Sequence, residues 1–159
     1  MSITTRVSDY LQAQQIQYDV IQHAHSASSL DSAKVAQISA MKLAKAVVLE
    51  DHEGRHMMAI LPSTNKISFH KLEDEMSRDF HLLSEQDVYK IFKDCEPGAV
   101  PPVGHAYHMD SVYDELLSDQ KDIFLEGGDH QTLIHLKSSE FKKLMAGCRH
   151  SRFSGEVYH

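Results

Sequence analysis

The feature that most constrains the fold is a β-hairpin predicted around one lysine. The apolar run Val47-Val48-Leu49 is typical of a strand buried on both faces, and residues 51–54 have the composition of a turn. Residues 55–61 predict the returning strand, which Pro62 closes. Because side chains alternate across a strand, Lys45 shares a face with Val47 and Leu49. A cation on such a face either extends to solvent or serves a site, and this segment alone favours solvent.

The composition is that of an ordinary globular domain with a net negative charge. The 159 residues suit one domain with a full core, since 42% are hydrophobic and 25% are charged. A formal charge of −7 argues against a broad electrostatic grip on nucleic acid, but it allows a local basic patch. Cys95 and Cys148 form no CxxC motif, so no disulfide or zinc framework is indicated. No apolar run approaches membrane-spanning length, and we expect a cytoplasmic protein.

Helices and further strands are predicted on both sides of the hairpin. An apolar repeat at helical spacing starts at Ile3, with Thr4 or Thr5 as its cap. Serine caps predict four later helices, which start at Ser28, Ser68, Ser84, and Ser138 or Ser139. Short strands are predicted at residues 18–21, 80–83, 122–126 and 132–136. These elements predict an α/β (α+β) fold with one domain at residues 1–146 and a less ordered tail at 147–159.

The stretch Glu96–Gly104 is the most unusual part of the chain. Prolines restrict its backbone dihedral angles, while a glycine lets a ligand approach the backbone closely. The amides of Gly98, Ala99 and Val100 are therefore candidates to receive a carbonyl or carboxylate oxygen. The alternative is a stiff connection between two elements, and the prolines alone do not decide between them.

Histidines suggest two further kinds of site. His130 follows the Gly127-Gly128-Asp129 turn, where a sheet rim commonly carries pocket residues, although a lone histidine is more often structural. The chain has twelve histidines, and His105 and His108 lie three residues apart with Asp110 nearby. No spacing matches a known zinc helix or knuckle, so we expect no metal site.

Three segments in their order and spacing resemble a known family. They are Ala44–Leu49, Asp94–Gly104 and Glu126–Ile134, and together they look like the YbaK/ProX family of free-standing aminoacyl-tRNA deacylases, the superfamily of the prolyl-tRNA synthetase editing domain. The resemblance covers residues 5 to 146. It implies a cytoplasmic hydrolase that removes a wrong amino acid from tRNA and has a single domain with a curved mixed sheet wrapped by helices. It also implies that no metal or organic cofactor is needed.

The resemblance also implies roles for particular residues. The essential lysine of the family falls on Lys45, and its GxxxP loop on Gly98 through Pro102. We expect Lys45 and Gly98 to be catalytic, and the substrate to contact Ala99, Val100, Pro101, Pro102 and His130. Ester hydrolysis builds negative charge on the carbonyl oxygen, which oriented amides stabilise. A lysine with an ordinary pKa near 10.4 is a poor base at neutral pH, so we interpret Lys45 as an electrostatic clamp. The resemblance implies that the substrate's ribose hydroxyl activates the water.

Family members that choose tRNA through the acceptor stem place polar or basic residues just after the lysine, where this chain has Ala46. Glu50 lies where a cation would help to hold RNA. Local positive charge has four other candidate sources, which are Lys42, Lys66, Lys71 and Arg78. The leading hypothesis is trans-editing of a mischarged tRNA, in particular tRNA for proline carrying a small wrong amino acid. Partners are then the tRNA and, as a second candidate, prolyl-tRNA synthetase. The alternative is a catalytically silent module that binds an amino acid, nucleotide or tRNA in a regulatory role. Oligomeric state is left open.

Overall fold

The computed structural model describes residues 3–156, which form five α-helices, ten strands and two short 3-10 helices. The helices are α1 (Thr5–Ala13), α2 (Ser29–Ala36), α3 (Phe69–Met76), α4 (Glu85–Ile91) and α5 (Ser138–Leu144). The strands are β1 (Asp19–Gln22), β2 (Leu43–Asp51), β3 (His56–Pro62), β4 (Asn65–Ile67), β5 (Phe80–Leu82), β6 (Asp110–Asp114), β7 (Asp122–Glu126), β8 (Thr132–Lys137), β9 (Arg149–Ser151) and β10 (Ser154–Glu156). The 3-10 helices are Gly104–Tyr107 and Glu115–Asp119.

Eight strands form one mixed sheet, in the order β1-β8-β7-β2-β3-β6-β9, with β5 also paired to β2. The predicted hairpin is confirmed, since β2 and β3 pair antiparallel from Ala44 opposite Pro62 to Glu50 opposite His56. On its other edge β2 pairs parallel with β7 as far as Ala44, and antiparallel with β5 from Leu49 onwards. From Lys45 to Val48, this edge of β2 therefore lies between its pairing with β7 and its pairing with β5. Strands β4 and β10 form a separate two-stranded sheet.

The two faces of the sheet are packed differently. The core face carries Ala44 and Val48 of β2, and it packs against a single large apolar cluster to which α1, α5 and the segment 100–109 contribute. The opposite face, which we call the cleft face, carries Lys45, Val47 and Leu49. Its apolar contacts are divided between one cluster at α2 and another at α3. Alternation along β2 places Lys45 on the face where the core is interrupted.

The helix caps follow the sequence with one exception. The side chains of Thr4, Ser28, Ser68 and Ser84 accept the capping hydrogen bonds of α1 to α4. The prediction that Ser138 or Ser139 caps the last helix is wrong, because α5 already starts at Ser138 and its N-cap residue is Lys137, which makes no side-chain cap bond. Serine spacing alone did not reveal that β8 runs directly into α5.

The segment after Gly147 is ordered, contrary to the expectation of a less ordered tail. Strand β9 pairs parallel with β6, and β10 pairs with β4. Phe153 between them is fully buried in the cluster at α3. These pairings join residues far apart in sequence, so local composition did not indicate them. Residues 157–159 of the predicted tail lie outside the described part, and whether residues 1–146 fold alone stays a prediction.

The fold agrees with the prediction of one α/β (α+β) domain with a mixed sheet wrapped by helices. The expected short strands are present as β1, β5, β7 and β8. The three prolines and two glycines of residues 94–104 predict an irregular stretch, and residues 94–103 form no helix or strand, whereas Gly104 already begins a 3-10 helix. Within residues 3–156 no helix has both the length and the apolar character needed to cross a bilayer.

Candidate active site

Lys45 is a half-buried cation between two clefts on the cleft face. One cleft of about 300 Å³ lies towards α2 and is lined mainly by polar residues, together with Leu30. The other, of about 290 Å³, lies towards α3 and is lined mainly by apolar side chains, which are Val47, Leu61, Ile67, Phe69 and Leu82. Leu30 and Leu82 are 54% and 59% exposed, so each cleft has an apolar rim open to solvent. Lys45 does not simply extend along a strand end into solvent, because it lines both clefts.

Lys66 on β4 is the second cation of this region, and it lines both clefts with Lys45. Among the ion pairs of residues 3–156, none involves either lysine. Burial lowers the pKa of Lys45, and the nearby charge of Lys66 lowers it further. An anion bound between the two ammonium groups would reverse the second effect. The two lysines attract a negatively charged ligand, whereas Glu156, which also lines the cleft towards α2, opposes an anion on that side.

The Gly98 loop, residues 97–102, begins exposed and ends buried. Pro97 and Gly98 are exposed, whereas Ala99, Val100, Pro101 and Pro102 are buried. Gly98 has φ of +80°, a conformation that side chains rarely adopt. A Cβ at this position would lie 3.3 Å from Nε2 of His130 and 3.5 Å from the Ala27 carbonyl oxygen. Glycine is needed here both for its dihedral angle and for the close approach of His130.

One of the three amides proposed to receive the substrate is already occupied. The Ala99 N–H donates to the Glu96 carbonyl oxygen at 3.0 Å, which closes a turn. The Ala99 side chain is fully buried and Val100 packs into the core cluster. The hypothesis of an amide site therefore narrows to the N–H groups of Gly98 and Val100. The buried side chains of the loop act as anchors for its backbone.

His130 lies beneath the Gly98 loop and is only 2% exposed. Its Nε2 lies 2.5 Å from the carbonyl oxygen of Pro97, and its Nδ1 lies 3.2 Å from Oε2 of Glu126. The Glu126 carboxylate raises the pKa of His130, against the opposing effect of burial. Both ring nitrogens thus face protein atoms. The expectation of direct contact between His130 and the substrate stays a prediction, but this geometry favours support of the loop.

A hydrogen-bonded turn joins the Gly98 loop to the sheet. The Glu96 N–H donates to the Gly128 carbonyl oxygen at 2.8 Å, so the loop rests on the β7–β8 connection. Asp129 stabilises that connection by accepting from the amides of Gln131 and Thr132. The predicted role of this glycine pair as a turn is confirmed, although the connection spans residues 127–131 rather than a two-residue turn.

The loop and the lysine meet through the segment 27–30. The Ala27 carbonyl lies against Gly98, while Leu30, at the start of α2, lines the cleft of Lys45. In the sheet, Ala44 pairs with Leu125, so Lys45 and Glu126 occupy the next position on each parallel strand. By alternation both point to the cleft face. The structure thus brings the segments of Lys45, Gly98 and His130 to the region where β2 begins and the parallel strand β7 ends.

Glu126 was not predicted as a site residue, and the sequence does not rank the four basic candidates Lys42, Lys66, Lys71 and Arg78. Glu126 was read only as the end of a strand, although a glutamate four residues before His130 could have suggested a pair. Of the four cations, Lys66 lines both clefts, whereas Lys71 lines a separate surface depression. Arg78 is bound to Asp51, with Nη2 at 2.8 Å from Oδ2. Its guanidinium serves the hairpin, so Arg78 is a poor candidate for RNA contact.

The histidines considered for a metal lie elsewhere. His105 contacts Tyr10 and Cys148, with distances of 3.4 Å and 3.8 Å, and His108 is exposed. Within the described residues no group of three or more His, Cys, Asp or Glu side chains is arranged to hold a metal ion. Metal independence stays a prediction to be tested.

Cys95, close to the Gly98 loop, is not suited to nucleophilic chemistry. Burial raises its pKa to about 12, although the hydrogen bond with Tyr107 opposes this. Tyr107 in turn donates to the carboxylate of Asp94 at 3.0 Å. The thiolate needed for attack on an ester is therefore scarce at neutral pH. The group anchors the loop to the core instead.

Comparisons with known proteins agree with this architecture. A family model described as an aminoacyl-tRNA editing domain matches residues 23–144. A crystal structure of a hypothetical protein matches with a TM-score of 0.83 and 17% identity, covering 94% of this chain and 99% of that one. A candidate trans-editing enzyme for prolyl tRNA synthetase matches with a TM-score of 0.81 and 18% identity, covering 94% and 95%.

A third solved structure is much larger than this chain. It is a candidate signal transduction protein from Marinobacter aquaeolei VT8, with a TM-score of 0.77 and 17% identity, and the match covers 97% of this chain but 31% of that one. At such identities these three likenesses establish the fold alone. A sequence comparison with curated proteins gave no match. The family model spans most of the chain, including Lys45, the Gly98 loop and His130, and on that ground the chain belongs to the aminoacyl-tRNA editing domain family.

Proposed function

We propose that the protein is a trans-editing deacylase that hydrolyses the ester of a mischarged tRNA. The observation that carries this proposal is the unpaired, half-buried ammonium of Lys45 between two clefts, within residues 3–156. A cation withdrawn from water without a carboxylate partner is costly to a fold, and it is retained where it binds an anion. The 3′ end of a tRNA supplies such an anion.

The volumes and linings of the two clefts suit the aminoacylated acceptor end of a tRNA. Volumes near 300 Å³ lie at the lower limit of small-ligand pockets, which suits a small amino acid or a single base. The apolar walls of Val47, Phe69 and Leu82 suit a base, and Lys66 beside them suits the phosphate of the same nucleotide. A local pair of lysines is sufficient here, because the net charge of −7 disfavours a wide RNA contact.

The chemistry needs an oxyanion site, a positioned ester and an activated water. Lys45 acts as an electrostatic clamp on the terminal ribose, its phosphate or the developing oxyanion. The N–H groups of Gly98 and Val100 supply oriented donors for the carbonyl oxygen. The ribose hydroxyl next to the ester activates the attacking water, so no protein base is required. No step calls on a metal or an organic cofactor.

The proposed substrate is tRNA for proline carrying a small wrong amino acid. Support comes from the likeness of the fold to a candidate trans-editing enzyme for prolyl tRNA synthetase. Prolyl-tRNA synthetase is then a candidate partner that releases the mischarged tRNA. Amino acids that differ by one methyl group or hydroxyl are separated by only about 1–3 kcal/mol in a pocket, so the amino acid must be identified by experiment.

The deciding experiment is a panel of mischarged tRNAs incubated with the purified protein. The panel pairs tRNA for proline with alanine, serine, threonine, 2-aminobutyrate and cysteine, and correctly charged prolyl-tRNA is the control. We expect rapid loss of at least one wrong amino acid and slow loss of proline. Absence of hydrolysis for every member would refute deacylation of tRNA for proline, and the same amino acids on their own tRNAs then test the deacylase in general.

A catalytically silent binding module is the second candidate function. The observation in its favour is that nearly the whole chain matches only 31% of a candidate signal transduction protein, where such a domain is one part of a larger protein. This candidate predicts saturable binding of mischarged tRNA or its aminoacyl-adenosine fragment without turnover. Fluorescence anisotropy with a labelled acceptor-end oligonucleotide, combined with the panel above, separates the two.

A further inference from the structure

Glu126 is a buried carboxylate whose place in the fold is not explained by packing. It ends β7 with 0% exposure, and neither carboxylate oxygen has an aligned hydrogen bond among the described residues. Its carboxylate contacts Nδ1 of His130, which lies 3.2 Å from Oε2. A carboxylate buried without hydrogen bonds is strongly disfavoured unless a positive charge compensates it. A protonated His130 supplies that compensating charge.

The hydrogen-bonding partners of His130 determine where its protons lie. The Pro97 carbonyl oxygen can only accept, so Nε2, 2.5 Å away, must carry a proton. Nδ1 then faces the carboxylate at 3.2 Å, a distance that suits an ion pair although the two groups are not aligned as a hydrogen bond. This arrangement is an imidazolium beside a carboxylate. The raised pKa of His130, caused chiefly by Glu126, agrees with this arrangement.

The contact at Pro97 also sets the direction of the next amide. Residues 3–156 contain no cis peptide bond, so the Pro97–Gly98 peptide is trans, and its carbonyl and N–H point in opposite directions. Because His130 holds the carbonyl beneath the loop, the Gly98 N–H is directed away from His130. Gly98 itself is exposed, so an N–H directed away from His130 is accessible to a ligand.

We propose that Glu126 is a positioning residue: by holding the imidazolium of His130 it fixes the Pro97 carbonyl and thereby aims the Gly98 N–H at the substrate. The inference rests on the proposed deacylase function, which it deepens. His130 on this account supports the loop from below and does not touch the substrate. Glu126 acts indirectly, because the polar contact recorded for its carboxylate within residues 3–156 is with His130.

The proposal predicts the direction of a pH effect. The pKa of His130 is raised in the folded protein, so the pair is intact below the ordinary histidine range and is lost as the pH rises through the raised value. Above it, the carboxylate draws the remaining proton to Nδ1, so Nε2 presents a lone pair to the Pro97 carbonyl oxygen and that contact becomes repulsive. The other charged or titratable groups nearby are Glu96 from the loop and His25 from the segment after β1, which pair with each other at 3.0 Å.

Nuclear magnetic resonance tests the positioning without any substrate. The amide of Gly98 and the ring of His130 are followed from pH 5 to 10 in the full chain. We expect the Gly98 amide to shift with the midpoint of the His130 ring, and this step to survive in His25→Gln. A Gly98 amide that ignores the His130 titration would overturn the proposal.

The variant Glu126→Gln separates the charge of Glu126 from its shape. A glutamine amide can donate to Nδ1 of a neutral imidazole, which keeps the Nε2 proton on Pro97 over the whole alkaline range. We expect the His130 ring midpoint to move to lower pH and the Gly98 step at that midpoint to disappear. The matched control is Asp122→Asn, which removes the carboxylate 2.8 Å from Nε2 of His135 at the other end of β7. If Glu126→Gln does not fold, the wild-type titration decides alone.

Single-turnover deacylation against pH supplies the kinetic readout. Dividing the Glu126→Gln rate by the wild-type rate at each pH cancels the titration of the substrate. We expect this ratio to rise by about threefold or more across the His130 step, and the Asp122→Asn ratio to stay flat. A pH-independent ratio for Glu126→Gln would reduce Glu126 to a structural residue. If the wild type cleaves no mischarged tRNA, the proposed function fails, and the resonance titration still decides the positioning.

Discussion

The two faces of the central sheet are built from the same strands, but only one of them is packed without interruption. On the core face Val48 and its neighbours join one large apolar cluster, whereas on the cleft face Lys45 lies between the clusters of α2 and α3. The interruption coincides with the point where β2 leaves β7 and has not yet reached β5. Function is therefore expected where packing and strand pairing both stop.

The largest expected effect is the loss of activity in Lys45→Ala, which is compared with a variant on the opposite face of β2. Lys45→Ala should lower the single-turnover rate on a cleavable mischarged tRNA by about 100-fold or more, because a charge at the oxyanion or phosphate is lost. Its melting temperature should stay near that of the wild type. Lys45→Arg should also be poor, since a planar guanidinium does not replace a compact ammonium.

The matched variant on the core face is Val48→Ala. Val48 is 5% exposed, and its truncation should reduce the free energy of unfolding by about 2 kcal/mol while leaving the rate of the folded protein unchanged. Urea unfolding and single-turnover assays on both variants test the contrast. If Lys45→Ala turned over substrate at the wild-type rate, the cleft face would not be the catalytic face of the sheet.

The next effect concerns the Gly98 loop. Gly98→Val should cost at least about tenfold in rate, or about 1.4 kcal/mol of transition-state stabilisation, because a side chain would collide with His130 and forbid the dihedral angle. Gly54→Val is the control, since Gly54 also has φ of +80° but open space around its Cβ position. Both variants carry backbone strain, so an equal loss of rate in the two would show that strain alone is responsible.

A smaller effect is expected at Lys66. Lys66→Gln should raise KM by about threefold to tenfold with little change in kcat, because a phosphate contact contributes mainly to binding. The slope of log affinity against log salt should become shallower by about 0.7, as for one contact to a single strand. Lys90→Gln, on exposed α4, is the charge-matched control. An unchanged salt slope for Lys66→Gln would place the phosphate elsewhere.

The last prediction is that removal of metal ions has no effect on the deacylation rate. Dialysis against a strong chelator should leave the deacylation rate unchanged, since the cleft face offers a lysine and backbone amides in place of metal ligands. Readdition of zinc or manganese is the accompanying measurement. A rate that disappears on dialysis and returns with either ion would show that the cleft face works through a metal.

Local patterns predicted those parts of the fold that neighbouring residues specify. The β2–β3 hairpin, four helix caps and the strands β7 and β8 were foreseen because turn residues, capping side chains and apolar runs act within a few positions. Strands β4, β6, β9 and β10 were missed. Their short, polar sequences become strands only through partners distant in the chain, such as β6 with β9.

The candidate site divides in the same way. Sequence determined that Lys45 lies on a strand face among apolar residues and that Gly98 begins a stiff loop, because alternation and proline geometry are local properties. Only the tertiary structure decided that Arg78 binds Asp51, that Lys66 joins Lys45, and that Glu126 and His130 support the loop. Ion pairs, clefts and the protonation of buried side chains depend on which groups, distant in sequence, lie close together in the low-dielectric interior. The local sequence pattern does not contain that information.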